Sequence, residues 1–322
     1  MTVFSNGHTK EAHPPVNPHA HPAAHPQNGH LQNGHPQRVV ELHHSDARKM
    51  RMLHPMEHPD FQYSRCSGRK RGVCIGINYI GQSSELHGCI NDAKDACDFL
   101  VDHYNYSRTE VRVLTDDAEE PDNLPTRANI EAAMQWLVED AQTHDSLFIH
   151  YSGHGGWSKN RQKDKGHMCD EMIFPLDYKH AGTILDDELH EALIIPLPSG
   201  CRLTAVFDSC HSASVLDLTW RYHSNGQAKR VTVSPKFVSE KSTPGDVMCW
   251  SGSKDEEESA DVSVGGLAVG AMSYAFLKVL KANPDITYED LLRCLRHETQ
   301  KYDQKPQLSA SHQMDVDRKF VM

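Results

Sequence analysis

Four short runs of unbroken apolar residues constrain this chain more than any other feature. They lie within Gly72–Asn78, Ser146–Tyr151, Arg202–Phe207 and Asp246–Trp250. A continuous run, rather than apolar–polar alternation, marks a strand buried on both faces. The segments between them have helical spacing. Cys89–Tyr104 carries Ile90, Ala93, Ala96, Cys97, Leu100 and Val101 on one side, and Asn129–Ala141 carries Ile130, Ala133, Met134, Leu137 and Val138. Asp186–Ile194, Leu267–Leu280 and Tyr288–Tyr302 read as further helices, and Glu110–Leu114 as a further short strand. Strands alternating with helices imply an α/β domain with a mainly parallel sheet and helices on both faces. Sites in such sheets lie at the carboxyl ends of the strands.

Residues 1–67 have a different texture. Eleven of the 23 histidines and eight of the 17 prolines fall in the first 60 residues. Such a stretch cannot bury enough apolar surface to offset its ordering entropy, so it reads as a disordered His/Pro-rich arm. Residues 68–322 then form one domain, in which the polar stretch Thr219–Gly245 reads as a long exposed loop. The nine cysteines are odd in number and include no C-x-x-C pair, which favours a reducing compartment over a disulfide framework. The expected location is cytoplasmic, with the nucleus as a second compartment. No run approaches the roughly 18 apolar residues of a membrane span. Lys+Arg is 33 and Asp+Glu is 44, for a net charge of −11. Five basic and five acidic residues balance within the first 60, so the excess belongs to the rest of the chain. That charge disfavours a nucleic-acid partner, which needs a cationic surface. A cationic peptide or a metal ion suits it better.

Two sequences fall at the functional edge. The strand ending in Tyr151 runs into Ser152-Gly-His-Gly-Gly156, and the strand ending in Phe207 runs into Asp208-Ser-Cys-His-Ser212. A cysteine is a useful nucleophile only as thiolate, and a nearby base lowers the cost of forming it. Either Cys210 or His154 alone reads as a structural cysteine or a loop histidine. Together, at strand ends with small neighbours, they read as a nucleophile and base. The amides of Gly155 and Cys210 are natural donors to a developing oxyanion. Asp208 stands two residues before Cys210 and Ser152 two before His154, so each shares a side of its extended segment with the catalytic residue. With Asp92, at the opening of the first helix, they make an acidic pocket for a cation, including a bidentate guanidinium. Cys89 reads as a packed core thiol in preference to a second nucleophile.

These motifs resemble the two catalytic signatures of type I metacaspases of the fungal kind. Gly72-Val-Cys-Ile-Gly-Ile-Asn-Tyr79, Leu86-His-Gly-Cys-Ile-Asn-Asp-Ala93, Ser251-Gly-Ser-Lys-Asp255, Ser259-Ala-Asp261 and Gly270-Ala-Met-Ser-Tyr-Ala-Phe276 are similar to other family blocks, in order. The resemblance covers about residues 68–322. It implies a caspase-like sandwich and a calcium-activated cysteine endopeptidase that cleaves polypeptides after Arg or Lys. It also implies a zymogen with a low-complexity prosegment, a monomer, and a role in programmed cell death or protein quality control. Asp92, Ser152 and Asp208 match the family's substrate pocket. Ala213 stands where the family usually has glycine. Its methyl group would strain a turn that needs positive φ, which keeps a catalytically impaired binding or proteostasis module as the rival reading. A His-rich metal-binding protein is a third.

Asp170, Asp186, Asp187 and Asp217 form a second acidic set. Calcium takes oxygen ligands from clustered carboxylates. Acidic residues at the start of Asp186–Ile194 equally serve a helix dipole. Similarity to the family's calcium site favours the metal. Lys229, Arg230, Lys236 and Lys241 are candidate self-cleavage positions in the polar loop, with Arg48, Lys49 and Arg51 in the arm.

Overall fold

Strand β1 (Lys70–Gly76) lies between β2 (Val111–Thr115) and β3 (Ser146–Ser152), and β3 pairs with β7 (Arg202–Asp208), which pairs with β10 (Asp246–Ser251). These five are parallel. Three antiparallel strands complete an eight-stranded sheet in the order β2-β1-β3-β7-β10-β13-β8-β9: β13 (Gln307–Ala310), β8 (Trp220–Tyr222) and β9 (Ala228–Arg230). The four apolar runs are β1, β3, β7 and β10, and β3 and β7 are buried along their whole length.

The computed structural model describes residues 58–159, 169–209, 215–222, 228–230, 239–252, 261–264, 267–302 and 304–322. All of these lie in one compact unit, Leu53–Met322. Helices α1 (Cys89–Tyr104), α2 (Arg127–Val138), α3 (Tyr178–Ala181), α4 (Asp186–Leu193), α5 (Ala271–Ala282) and α6 (Tyr288–Thr299) flank the sheet. One face packs Phe99, Leu100, Phe276 and Leu291 against Phe148 and Trp250. The other packs Leu137 and Leu193 against Ile149 and Phe207. Thr126 and Thr287 cap α2 and α6, their hydroxyls accepting the N–H groups of Asn129 and Asp290.

At the amino ends of β7 and β10, Arg202 and Asp246 form a buried ion pair at 2.7 Å. Arg202 also donates to the Tyr288 hydroxyl at 2.6 Å. Asp246 accepts the Ser64 N–H at 2.8 Å, and Phe61 stacks on His312 with centroids 3.8 Å apart. Residues 58–67, read from the sequence as the end of the arm, dock on the domain through the Ser64 N–H and through the rings of Phe61 and Tyr63, which both meet His312. Residues 1–57 lie outside the described residues.

Two further expectations change. Leu267–Gly270 is not the first turn of a helix but β12, paired with β11 (Asp261–Val264). An apolar run of four does not by itself separate strand from helix. Thr219–Gly245 is not one exposed loop. Trp220 and Tyr222 are buried in β8, and Thr243 and Asp246 are buried beyond it. Two small sheets complete the fold: β11–β12, and β4 (Gly155–Lys159), β5 (Cys169–Ile173) and β6 (Ile184–Leu185). Cys66, Cys74, Cys97, Cys201, Cys249 and Cys294 are free thiols. Cys89 is buried at the start of α1. Among the described residues, no helix is long and apolar enough to cross a membrane.

Candidate active site

The register of β3 against β7 organises the site. Ser152 pairs directly with Asp208, so their side chains leave the same face of adjacent strands. His154 and Cys210 each follow these paired positions by two residues. Gly153 N–H donates to the Asp208 carbonyl at 3.4 Å, carrying the pairing one step past the sheet. Cys210 itself, with His211–Ser214 and thus Ala213, lies outside the described residues.

His154 is half-buried, and its backbone is held at both ends by phenols. Its N–H donates to the Tyr79 hydroxyl at 3.1 Å, and the Tyr151 hydroxyl donates to its carbonyl at 2.7 Å. Tyr79 also donates to the Phe174 carbonyl at 2.6 Å, and its ring lies 4.5 Å from the imidazole, centroid to centroid. Burial pushes both phenol pKa values up, so they remain neutral donors. The imidazole Nε2 lies 2.7 Å from the Ser84 carbonyl. A carbonyl only accepts, so Nε2 carries the proton and Nδ1 is the basic nitrogen of the neutral ring. Gly155 follows directly and opens β4.

Asp92, Ser152 and Asp208 converge, all buried. Ser152 Oγ donates to Asp92 at 2.7 Å, Gly270 N–H donates to Asp92 at 2.9 Å, and Ser273 N–H donates to Asp208 at 2.7 Å. Gly270 is required by this crowding. A Cβ there would stand 2.3 Å from an Asp208 oxygen and 2.6 Å from an Asp92 oxygen. Below the pocket, His150 Nε2 lies 2.9 Å from Ser273 Oγ. Burial lowers the His150 pKa to about 3, so this ring stays neutral.

Of the second acidic set, Asp186, Asp187 and Asp217 come together with carboxylate oxygens within 4.8 Å of one another. Asp170 is not one of this group. It stands on β5 beside Glu171, whose N–H donates to Asp186 at 3.1 Å. His190 on α4 ties the two stretches, its Nδ1 lying 2.9 Å from the Leu216 carbonyl. Lys241 enters the cluster, 2.6 Å from Asp187 and 2.8 Å from Asp217, with its side chain only 11% exposed. The expected exposed cleavage lysine is therefore a half-buried ion-pair partner. Lys229 and Arg230 lie on β9. Lys236, Arg48, Lys49 and Arg51 lie outside the described residues.

The metacaspase, peptidase C14 domain model matches residues 70–219. Metacaspase-1 of Cryptococcus neoformans is 45% identical over 305 residues, 82% of this chain and 67% of that protein. Metacaspase-1A of Neurospora crassa is 45% identical over 304 residues, 81% of this chain and 67% of that protein. The chain belongs to the metacaspase family. It is a cysteine-type endopeptidase with the mixed α/β, caspase-like architecture of that family. Protein GSU0716 from Geobacter sulfurreducens has the same fold, with a TM-score of 0.55 at 21% identity, over 78% of this chain and 98% of that one.

Several residues of this metacaspase site escaped sequence reasoning. Tyr151 sits inside the histidine motif and Ser273 inside a C-terminal block, so proximity to quoted motifs could have raised them. Tyr79 closes the Gly72–Tyr79 block and is marked in the structure by its left-handed backbone, φ 55°. Ser84 acts through its main chain, which leaves no side-chain signature.

Proposed function

We propose that this metacaspase cleaves polypeptides after arginine or lysine, that it is made as a zymogen, and that calcium activates it. The observation that carries the specificity is the convergence of two buried carboxylates and a hydroxyl, Asp92, Asp208 and Ser152, one register step from the histidine's strand end. Caspases proper cleave after Asp and need a basic pocket; this one is acidic.

Chemically, His154 Nδ1 takes the Cys210 thiol proton, and the thiolate attacks the carbonyl carbon of the bound basic residue. The N–H groups of Gly155 and Cys210 receive the oxyanion, each such donor contributing on the order of 10²–10³ in rate. The tetrahedral adduct collapses as imidazolium protonates the leaving amine. Water, deprotonated by the same ring, then hydrolyses the thioester and returns the thiol. The Ser84 carbonyl holds the ring in the productive tautomer throughout.

Three carboxylates within reach of one point form an all-oxygen donor set suited to a hard cation. Asp186, Asp187 and Asp217 would hold calcium, with Asp170 adjoining. The ion would supply two positive charges where Lys241 supplies one. Calcium entry therefore requires Lys241 to withdraw, which loosens the segment that follows the basic stretch. Asp217, at φ 51°, lies seven residues beyond Cys210, which links the cluster to the nucleophile's loop. Self-cleavage within residues 229–241 fits the same scheme. A role in programmed cell death or protein quality control rests on family membership alone, and identifying the substrates cut in cells would decide it.

The test is peptidase activity of the purified chain on matched Arg, Lys and Asp peptides, with calcium and with chelator. Cys210→Ala should abolish cleavage while leaving the circular dichroism spectrum unchanged. Preference for Asp would overturn the pocket, and full activity in chelator would overturn the metal.

A further inference from the structure

The acidic pocket has a neighbour that its motifs do not include. Gln304 lies between the short turn Gln300–Tyr302 and β13. It is 7% exposed, and its backbone is fixed by the Thr299 hydroxyl, which donates to the Gln304 carbonyl at 3.1 Å. The side-chain Oε1 is buried and has no hydrogen-bond partner among the described residues. An acceptor buried without a donor costs folding free energy and is rare in native proteins.

Gly252 locates that oxygen. The glycine follows β10, and its N–H donates to the Phe207 carbonyl at 3.1 Å, which keeps it alongside the end of β7. A Cβ built on Gly252 would lie 3.5 Å from Gln304 Oε1 and 3.7 Å from Asp208 Oδ1. The two oxygens thus face one small volume. Glycine leaves it open, whereas any other residue would put carbon between them.

The number of donors suggests what the volume receives. A lysine ammonium has three N–H donors, and an arginine guanidinium has five in a rigid fork. Part of the pocket's accepting capacity is already used: Asp92 takes Gly270 N–H and Ser152 Oγ–H, and Asp208 Oδ2 takes Ser273 N–H. A guanidinium spread across the pocket needs acceptors on more than one side. We propose that Gln304 is a specificity-determining residue, its Oε1 accepting an N–H from the substrate guanidinium and so selecting arginine over lysine. This rests on the reading that the pocket takes a basic side chain.

The experiment compares kcat/KM on matched Arg and Lys peptides for the full chain, Gln304→Leu and Gln304→Glu, with thermal midpoints alongside. The wild type should prefer Arg. Gln304→Leu should lose about tenfold on Arg, the scale of one hydrogen bond to a charged group. Its Lys activity should hold within twofold and its midpoint should not fall. Gln304→Glu keeps an acceptor and should retain the Arg preference. An equal loss on both peptides in Gln304→Leu, or a loss on neither, overturns the proposal. So does loss of Arg cleavage in Gln304→Glu, which would mean that the amide serves Asp208 as a donor. A wild type that cleaves after neither basic residue brings down the pocket reading itself, a result visible before any variant is made.

Discussion

Two acidic regions of the molecule handle their charge in opposite ways. In the pocket, Asp92 and Asp208 accept backbone N–H groups of Gly270 and Ser273, and Asp92 accepts a serine hydroxyl. These donors carry no full charge, so they orient the carboxylates without cancelling them. In the second region, Asp187 and Asp217 are met by the ammonium of Lys241, a full charge on a flexible four-carbon stem. The pocket's carboxylates are thus oriented by main-chain and hydroxyl donors, while two aspartates of the cluster meet a full charge on a movable side chain. On the function proposed above, recognition would rest on fixed dipoles and regulation on a removable ion.

The largest effect should come from the pocket. Asp208→Ala should lower kcat/KM on basic peptides by roughly a hundredfold or more, since losing one partner of a buried charge pair costs about 2–5 kcal/mol. Steady-state kinetics with wild-type rates would show that Asp208 recognises nothing, and the contrast would collapse. In the cluster, Asp186→Ala combined with Asp187→Ala should lower calcium affinity and activity together, with Cys210 still open to alkylation. Unchanged calcium dependence would return these aspartates to helix capping.

Lys241→Met sharpens the contrast because it should act in the other direction. Removing the competing charge should tighten calcium binding by about tenfold, the order expected when one unit charge leaves a half-buried site. Isothermal titration calorimetry reads this directly. A variant that is only less stable, with calcium affinity unchanged, would make Lys241 a permanent counter-ion.

Acid tests two buried histidines, His150 beneath the pocket and His312 at the other end of the sheet. Burial depresses the His150 pKa to about 3 and, together with the neighbouring Arg charges and against Asp246, the His312 pKa to about 4. Their unfolded counterparts titrate near 6.5. Above that pH both states are neutral and stability is fully present. As pH falls below about 6.5 the unfolded chain takes up protons that the folded chain refuses, so stability declines by up to about 1.4 kcal/mol per pH unit for each ring. The decline ends near each folded pKa. Urea midpoints at pH 7 and pH 5 should show the fall, and Asp208-dependent specificity should persist while the fold survives. The smallest effect belongs to Cys89→Ala. It removes a buried thiol at the start of α1 and should cost about 1 kcal/mol of stability, with activity within a few-fold.

The central sheet, and the meeting of Ser152 with Asp208 at its edge, were legible in the sequence. β1, β3, β7 and β10 announce themselves because central parallel strands must be apolar on both faces. Once two of them adjoin, Ser152 and Asp208 at their ends meet across the β3–β7 register. What could not be read depends on long-range pairing. β8 and β9 are three residues each, too short for a periodic signal; β13 offers β8 an edge and β8 in turn offers one to β9. Lys241 reads as a basic residue in a polar stretch, and only the fold brings it to aspartates on α4 and beyond β7. Leu267–Gly270 has the composition of either a strand or a helix, and its pairing with β11 decides.

The outer strands of the large sheet bear on assembly. β13 would present a row of open backbone groups to a second copy, but β8 and β9 of the same chain take that side. Among the described residues, the strands at the two ends of the sheet are β2 and β9. β9 is a poor docking edge, three residues long with Lys229 and Arg230 among them. The same strand is extended and, among the described residues, pairs with β8 on one side. That is the form in which an extended peptide adds to a receptor through main-chain hydrogen bonds. On the specificity proposed above, the strand that ends the sheet would thus also offer basic residues in the extended form a peptidase takes.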